Sequence, residues 1–162
     1  MANASYSATK NNSDLAVSTV YGPDDTPNAE IFQADHTWEW MGKGSATYQF
    51  PHGIMASMNY EHRSGNPWAR TATFTGGILS SITLRVEEYG TRRLPNLNKY
   101  DARVAKTFRL PGGQSVEATM NVYNMFNANT TLTVGQNSGA TFLKTTSILP
   151  ARIVEFSARY SF

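Results

Sequence analysis

The residues best suited to chemistry lie in one short segment, Glu61-His62-Arg63-Ser64, which combines an acid, a base and a hydroxyl. Converging groups of these types could form the nucleophile, base and orienting acid of a hydrolase. The segment lies in an alternating pattern typical of a β-strand, whose neighbouring side chains point to opposite faces. Glu61 and His62 therefore cannot converge, and no Gly-x-Ser-x-Gly nucleophile motif is present. We expect no enzymatic activity.

Sites for metals or phosphate have equally little support in the sequence. His36, His52 and His62 lie in separate segments without the compact spacing of metal ligands. Asp24 and Asp25 supply too few oxygens for a calcium site. The glycines at 76–77 and 112–113 mark turns and precede no helical pattern, so they predict no phosphate-binding loop. The chain has no cysteine, which excludes thiolate ligands and disulfides. We expect no cofactor and no metal.

Composition favours a β structure with one wet face and one apolar face. Charged residues make up 16% and aromatic residues 12% of the 162 residues, against about 25% charged in typical soluble domains. The net charge is only +2 and the basic residues form no stripe, so we expect no nucleic-acid partner. No apolar run reaches the ~18 residues of a transmembrane helix. Residues 1–6 lack the basic and apolar regions of a signal peptide, and we expect none.

A period of two in hydrophobicity predicts six long strands. These strands cover residues 2–9, 37–50, 54–63, 98–110, 114–126 and 151–162. Most are longer than the usual strand of about 5–6 residues, and they match the ~9–11 residues with which a tilted strand crosses a bilayer. A further strand is predicted within residues 78–89, where Ile82, Leu84 and Val86 alternate with polar residues, after a turn at 75–77.

The connections between these strands alternate in length. Residues 51–53 and 111–113 are tight turns, whereas residues 10–35, 65–96 and 127–149 are long and rich in Asn, Thr, Gly and Ser. Outer-membrane barrels have this alternation of short periplasmic turns and long extracellular loops. The predicted fold class is therefore all-β: an antiparallel meander of about six long strands, part of a transmembrane β-barrel and an open half-barrel if alone.

Each predicted strand has one apolar and one polar face. The apolar face of the last strand carries Val154, Phe156, Tyr160 and Phe162. We interpret the large aromatic residues of strand 37–50 as part of an interfacial girdle: Trp38, Trp40, Tyr48 and Phe50. Charged residues of both signs occupy the polar faces and are expected to line a wet lumen: Glu39, Lys43, Arg63, Asp101, Arg103, Glu117, Glu155 and Arg159.

Several segments resemble the C-terminal end of TonB-dependent outer-membrane receptors. They are most similar to the Oar-like group, which has a carboxypeptidase-regulatory-like domain at its N-terminus. The segments are YEHRSGNPWAR at 60–70, GTRRLPNLN at 90–98, YDARVAKTF at 100–108, NVYNMFNAN at 121–129, SILPAR at 147–152 and the terminal strand. The resemblance extends from near His36 to the end of the chain, and the order and spacing of the segments carry it.

The resemblance implies a barrel of about 22 strands with a plugged lumen, which imports scarce solutes such as metal chelates, vitamins or glycans. It also implies that Val154, Phe156, Tyr160 and Phe162 form a signal for the barrel-assembly machinery. Residues 1–162 are expected to be one segment without plug or signal peptide, a fragment not competent for transport alone. Its expected partners are outer-membrane lipid, the assembly machinery and the rest of the barrel and plug. The expected location is the bacterial outer membrane.

The alternative is a soluble all-β sandwich that acts as a binding or adhesin-like module. In a sandwich the apolar face would pack against a second sheet instead of lipid. The two hypotheses thus differ in what covers the apolar face of the strands. Dependence on detergent distinguishes them.

Overall fold

The computed structural model describes residues 1–11, 35–76 and 80–162. Its strands, in chain order, are β1 (Ala2–Lys10), β2 (Trp38–Phe50), β3 (Ile54–Arg63), β4 (Pro67–Trp68), β5 (Thr71–Thr75), β6 (Ser81–Arg85), β7 (Arg92–Arg93), β8 (Leu97–Arg109), β9 (Ser115–Tyr123), β10 (Thr131–Val134), β11 (Thr145–Ile148) and β12 (Ile153–Ser161). Six of them form one antiparallel sheet in the order β1-β2-β3-β8-β9-β12. The predicted meander of six long strands is confirmed. The sheet is open, because among the described residues β1 and β12 each have one neighbour.

The ends of the strands differ from the predicted ends for local reasons. β3 has the predicted bounds. β2 begins at Trp38 instead of residue 37, because the amide and hydroxyl of Thr37 both donate to Asp35 Oδ1, at 3.0 and 2.7 Å. β9 ends at Tyr123 instead of residue 126, because Asn124 adopts a left-handed conformation with φ of 50°. β9 and β12 have nine residues each and are shorter than predicted, whereas β1 extends one residue beyond the predicted 2–9, to Lys10.

The register of the sheet brings the apolar faces of all six strands together. One row of cross-strand partners spans the whole sheet and contains only apolar residues: Ala2, Ala46, Met58, Ala102, Val122 and Val154. The next row on the other face is polar: Thr47, Ser57, Arg103, Asn121 and Glu155. A slip of one residue in any pairing would exchange the two faces of that strand. The alternation therefore restricts each pair of strands to registers that keep the apolar residues on one face.

Both predicted tight turns are present, each as a three-residue 3-10 turn that begins with proline. In the first turn His52 has φ of 64° and Gly53 has φ of 72°. A Cβ on Gly53 would lie 2.8 Å from the carbonyl oxygen of Thr107 on β8, so this position requires glycine. In the second turn Gly112 and Gly113 both have positive φ. The two turns lie at the same end of the sheet.

The opposite end of the sheet carries the long connections and most of the buried core. Here β4 pairs with β7, β5 with β6, and β10 with β11. The buried apolar residues Trp68, Ala69, Leu97 and Leu149 lie in or beside these connections. The strand predicted within residues 78–89 is β6, paired with β5. Gly76 of the predicted turn has φ of 94°, and residue 77 lies outside the described residues, as does most of the predicted connection 10–35.

Helical structure contributes little to the described part of the chain. None of the helices found there is long and apolar enough to cross a membrane.

Candidate functional site

The apolar face of the six-stranded sheet is exposed along its whole width. Tyr6 on β1 is 71% exposed, Met58 on β3 is 48% exposed, Val104 on β8 is 42% exposed and Phe156 on β12 is 75% exposed. An isolated exposed apolar residue needs no explanation, but a contiguous patch marks a surface that meets another apolar phase. The main candidate site is therefore this face as a whole, which we call the apolar face.

The four aromatic residues predicted as a girdle lie on the apolar face of β2, in two groups at its two ends. Trp38 and Trp40 lie beside the long connections, and the Trp40 Nε1–H donates to His62 Nε2 at 3.1 Å. Tyr48 and Phe50 lie beside the tight turn, with ring centroids 4.6 Å apart in an edge-on contact. Indole and phenol rings in two separate belts are typical of residues that sit at the two boundaries of a membrane.

The eight charged residues predicted to face a lumen share the polar face of the sheet. Register places Glu61 directly between Lys43 and Lys99. Glu117 is 3.6 Å from Arg103 on one side and directly opposite Arg159 on the other. Opposite charges across neighbouring strands stabilise a sheet, and they are screened where the face is wet. The polar face is thus organised for contact with water or a polar partner.

An open groove of about 420 Å³ lies on the polar face and crosses the inner parts of β1, β2 and β3 and the start of β8. Its polar lining includes Ser5, Lys43, Glu61, Lys99 and Asp101. Lys99 Nζ lies 2.8 Å from Asp101 Oδ2. The groove therefore offers hydrogen-bond donors and acceptors of both charges to a polar ligand or a polar protein segment.

The residues that could have formed a hydrolase site do not come together. Glu61 lies on the polar face, whereas His62 lies on the apolar face with its Nδ1 2.7 Å from Asn98 Oδ1. Ser64 is buried, and its hydroxyl oxygen accepts from the backbone N–H of Trp40 at 3.2 Å. These side chains stabilise the junction between β2, β3 and β8.

The described residues contain no group of three or more His, Asp or Glu side chains placed to hold a metal. His36 is exposed, and His52 lies in the tight turn at the other end of the sheet. Asp24 and Asp25, considered above for calcium, lie outside the described residues.

A cluster in the long connections was not foreseen from the sequence. Arg92 Nε donates to Glu87 Oε1 at 2.6 Å, and its guanidinium lies 5.4 Å from the Trp68 ring and 5.5 Å from the Phe142 ring. Arg70 lies over Phe142 from 5.9 Å, and its backbone N–H donates to Glu87 at 2.8 Å. The hydrogen bond from Arg92 lowers the pKa of Glu87 below its ordinary value. We call these five residues the arginine–aromatic cluster.

Backbone pairing joins two of the long connections beside this cluster. The Thr71 N–H donates to Gln136 O at 3.0 Å, and the Ser138 N–H donates to Thr71 O at 2.7 Å. Asn137 Nδ2 adds a bond to Thr73 Oγ1 at 2.9 Å. These bonds join the connection between β3 and β8 to the connection between β9 and β12, at residues 71–73 and 136–138.

Asn124 fixes the start of the third long connection. Only 3% of the residue is exposed, and its side-chain amide donates to Ala128 O at 2.9 Å and to Pro150 O at 2.7 Å. Its Oδ1 accepts from the Ala128 N–H at 2.8 Å. Asn124 thereby joins the start of this connection to its end, through a hydrogen bond to Pro150 that sequence spacing does not indicate.

Comparisons with protein-family models, with curated proteins and with solved structures found no match to this chain.

Proposed function

We propose that this chain is a segment of an outer-membrane β-barrel of the TonB-dependent receptor type. The apolar face meets lipid, the polar face meets the interior, and the long connections lie on the outer side. One observation carries the proposal: six long strands in unbroken register expose one continuous apolar face. In water such a face is costly, since burial of apolar surface contributes about 25 cal/mol per Å². Lipid removes that cost without a second protein layer.

The spacing of the aromatic groups on β2 supports this orientation. Ten residues separate Trp40 from Phe50, which corresponds to roughly 33 Å along a strand. With the usual tilt of about 40° the distance along the membrane normal is about 25 Å, the height of the apolar band of outer-membrane barrels. Both aromatic groups would then lie at a boundary between lipid and water.

The polar face supports a role for this segment in uptake. Alternating charges around the groove suit a wet interior that contacts a plug or a passing solute. Following the family resemblance, the solute would be scarce, such as a metal chelate, a vitamin or a glycan. Transport would need the remaining strands and a plug as partners. By the same resemblance, Val154, Phe156, Tyr160 and Phe162 would be recognised by the barrel-assembly machinery.

The three tryptophans of the chain allow a direct test, because two lie on the apolar face and one lies in the buried core of the connections. Trp38 and Trp40 lie on the apolar face, and Trp68 lies in the buried core of the connections. A Trp68→Phe variant keeps only the first group, and a Trp38→Phe/Trp40→Phe variant keeps only the second. Both proteins are reconstituted into vesicles that contain lipids brominated at defined depths.

Fluorescence of the Trp68→Phe protein should be quenched by bromines near the interface, whereas Trp68 in the double variant should be unaffected. A chain that remains monodisperse without detergent, melts cooperatively and shows no quenching of Trp38 and Trp40 would instead be the soluble sandwich. That result would overturn the proposal, because lipid would not be the phase that covers the apolar face.

A further inference from the structure

Lys106 interrupts the apolar face of the sheet near the tight turns. The even-numbered positions of the six long strands form this face, and they contain no Asp or Glu. Two of these positions hold a lysine, Lys106 and Lys10, and Lys10 lies at the opposite end of the sheet, paired with Trp38. A cation on a surface that meets lipid is costly unless an opposite charge compensates it. The six strands supply no such charge to Lys106 on this face.

The ammonium group of Lys106 lies at the level of the first tight turn. Its Nζ donates an exposed hydrogen bond to the backbone carbonyl of His52 in that turn, at 2.7 Å. An ammonium has three N–H donors, and this bond uses one of them. Nζ also lies 5.7 Å from the centre of the Phe108 ring. The apolar stem of Lys106 thus lies along the sheet while its charge reaches the turn, where the charge can meet an anion without losing the bond to His52.

An apolar depression of about 440 Å³ adjoins Lys106 on the same face. Ala118 and Ala158 line it and continue the row of cross-strand partners that contains Lys106. Met120 and Phe156, which are paired with each other, border it on the side away from the tight turns. Lys106 lies on β8, which pairs with β3 and β9, so its surroundings do not depend on the edges of the sheet. The depression offers apolar contact directly beside a positive charge.

We infer that Lys106 and this depression bind one anionic phospholipid, with the lipid phosphate at the ammonium and an acyl chain against Met120 and Phe156. The inference rests on the proposed function, because it requires lipid on the apolar face. Charge favours an anionic headgroup, since a zwitterionic headgroup carries a cation of its own that Lys106 repels. A dissolved phosphate would gain the charge contact alone. A phospholipid gains the charge contact and the apolar contact together.

Fluorescence quenching beside Lys106 tests this inference. Phe108→Trp in the Trp38→Phe/Trp40→Phe background places an indole next to Lys106 and leaves Trp68 in the buried core of the connections. This parent protein is reconstituted into phosphatidylcholine vesicles that contain a fixed fraction of brominated phosphatidylglycerol or of brominated phosphatidylcholine. The ratio of the two quenching efficiencies measures the preference of the site for the anionic lipid. We expect a preference of about fivefold, the effect of one basic residue at an anionic surface, and a smaller one at high salt.

Three variants of the parent assign the preference to Lys106. Lys106→Met removes the charge, keeps a long unbranched side chain and should abolish the preference. Lys106→Arg should retain it. Arg109→Met removes a positive charge from the polar face of the same strand and should leave the preference unchanged. Quenching by brominated phosphatidylcholine should be equal in all three variants.

Equal quenching of the parent protein by the two brominated lipids would overturn the lipid site alone, as would a preference that persists in Lys106→Met. Soluble glycerophosphoglycerol, added in millimolar excess, should leave the preference unchanged. A preference that it abolishes would show that the site recognises dissolved phosphate, which also overturns the lipid site. Absence of quenching by either brominated lipid would instead reject the proposed function, because lipid would not cover the apolar face.

Discussion

Arg92 donates to the carboxylate of Glu87 at 2.6 Å while its guanidinium lies over the ring of Trp68. The same carboxylate oxygen accepts from the backbone N–H of Arg70 at 2.8 Å. The Glu87 carboxylate thus joins Arg70 and Arg92, which lie far apart in the same connection, beside the buried Trp68 indole. The Arg92 hydrogen bond lowers the pKa of Glu87 from its ordinary value of 4.5.

We expect the arginine–aromatic cluster to loosen on acidification. A carboxyl with a lowered pKa in the folded state stabilises that state above the unfolded value of 4.5, and the contribution is lost as the pH falls through the folded value. Because the pair is partly exposed, the contribution is roughly 1 kcal/mol or less.

The fluorescence of Trp68 reports this loosening. In the Trp38→Phe/Trp40→Phe background, Trp68 emission should shift to longer wavelength below the pH at which Glu87 becomes protonated in the folded state. Glu87→Gln should show part of the shift at neutral pH. Glu88→Gln, at an exposed neighbour, serves as the control, and an unchanged acid transition in Glu87→Gln would contradict the assignment.

A charge on the apolar face should cost far more than a charge beside it on the polar face. Met58 and Asn59 are neighbours on β3, and Asn59 lies directly opposite Asp101. In a bilayer, Met58→Arg should destabilise the folded protein by about 2–4 kcal/mol, the usual cost of arginine near the midplane. Asn59→Arg should be nearly neutral. Denaturant titration in vesicles measures both, and equal stability of the two variants would show that lipid does not cover Met58.

Reversal of the charge of Glu117 should weaken pairing at the β8–β9–β12 side of the sheet. Glu117 lies between Arg103, 3.6 Å away, and Arg159, directly opposite on β12. Glu117→Lys would align three positive charges, with an expected loss of roughly 1 kcal/mol that high salt reduces. The matched control is Glu155→Lys, since Glu155 accepts hydrogen bonds at 3.3 Å from the uncharged Asn121 and Tyr123, so any loss in this variant should not depend on salt. A loss for Glu117→Lys that is insensitive to salt would point to packing as its cause.

A methyl group at Gly65 should disrupt the long connections, whereas the same change at Gly44 should be tolerated. A Cβ on Gly65 would lie 1.6 Å from the carbonyl oxygen of Leu94, so the backbone would have to move. A Cβ on Gly44 would meet nothing closer than Asn3 O at 3.9 Å. Gly65→Ala should cost about 1–3 kcal/mol or more and increase proteolysis of residues 64–96. Similar stability of both variants would contradict the close approach of Gly65 to Leu94.

The sheet could be predicted from the sequence because its information is local. Alternation along each strand fixes which residues share a face, and the prolines and glycines at 51–53 and 111–113 mark the turns. The connections could not be predicted in the same way. Phe142 meets Trp68 only because two connections lie side by side, and Asn124 binds Pro150 across 26 residues. Contacts of this kind leave no periodic pattern in the sequence. The charged residues of the polar face were foreseen, but their partners across strands required the register.

The contrast between short and long connections also sets an order of folding. Closing a three-residue turn costs little entropy, so β2–β3 and β8–β9 can form as independent local hairpins. Pairing of β3 with β8 must instead close the connection 64–96, and β1 and β12 must join across connections of similar length. Pulse-labelling hydrogen exchange should therefore show protection in the two hairpins before β1 and β12. The central four strands would then act as a template onto which the two outer strands are added last.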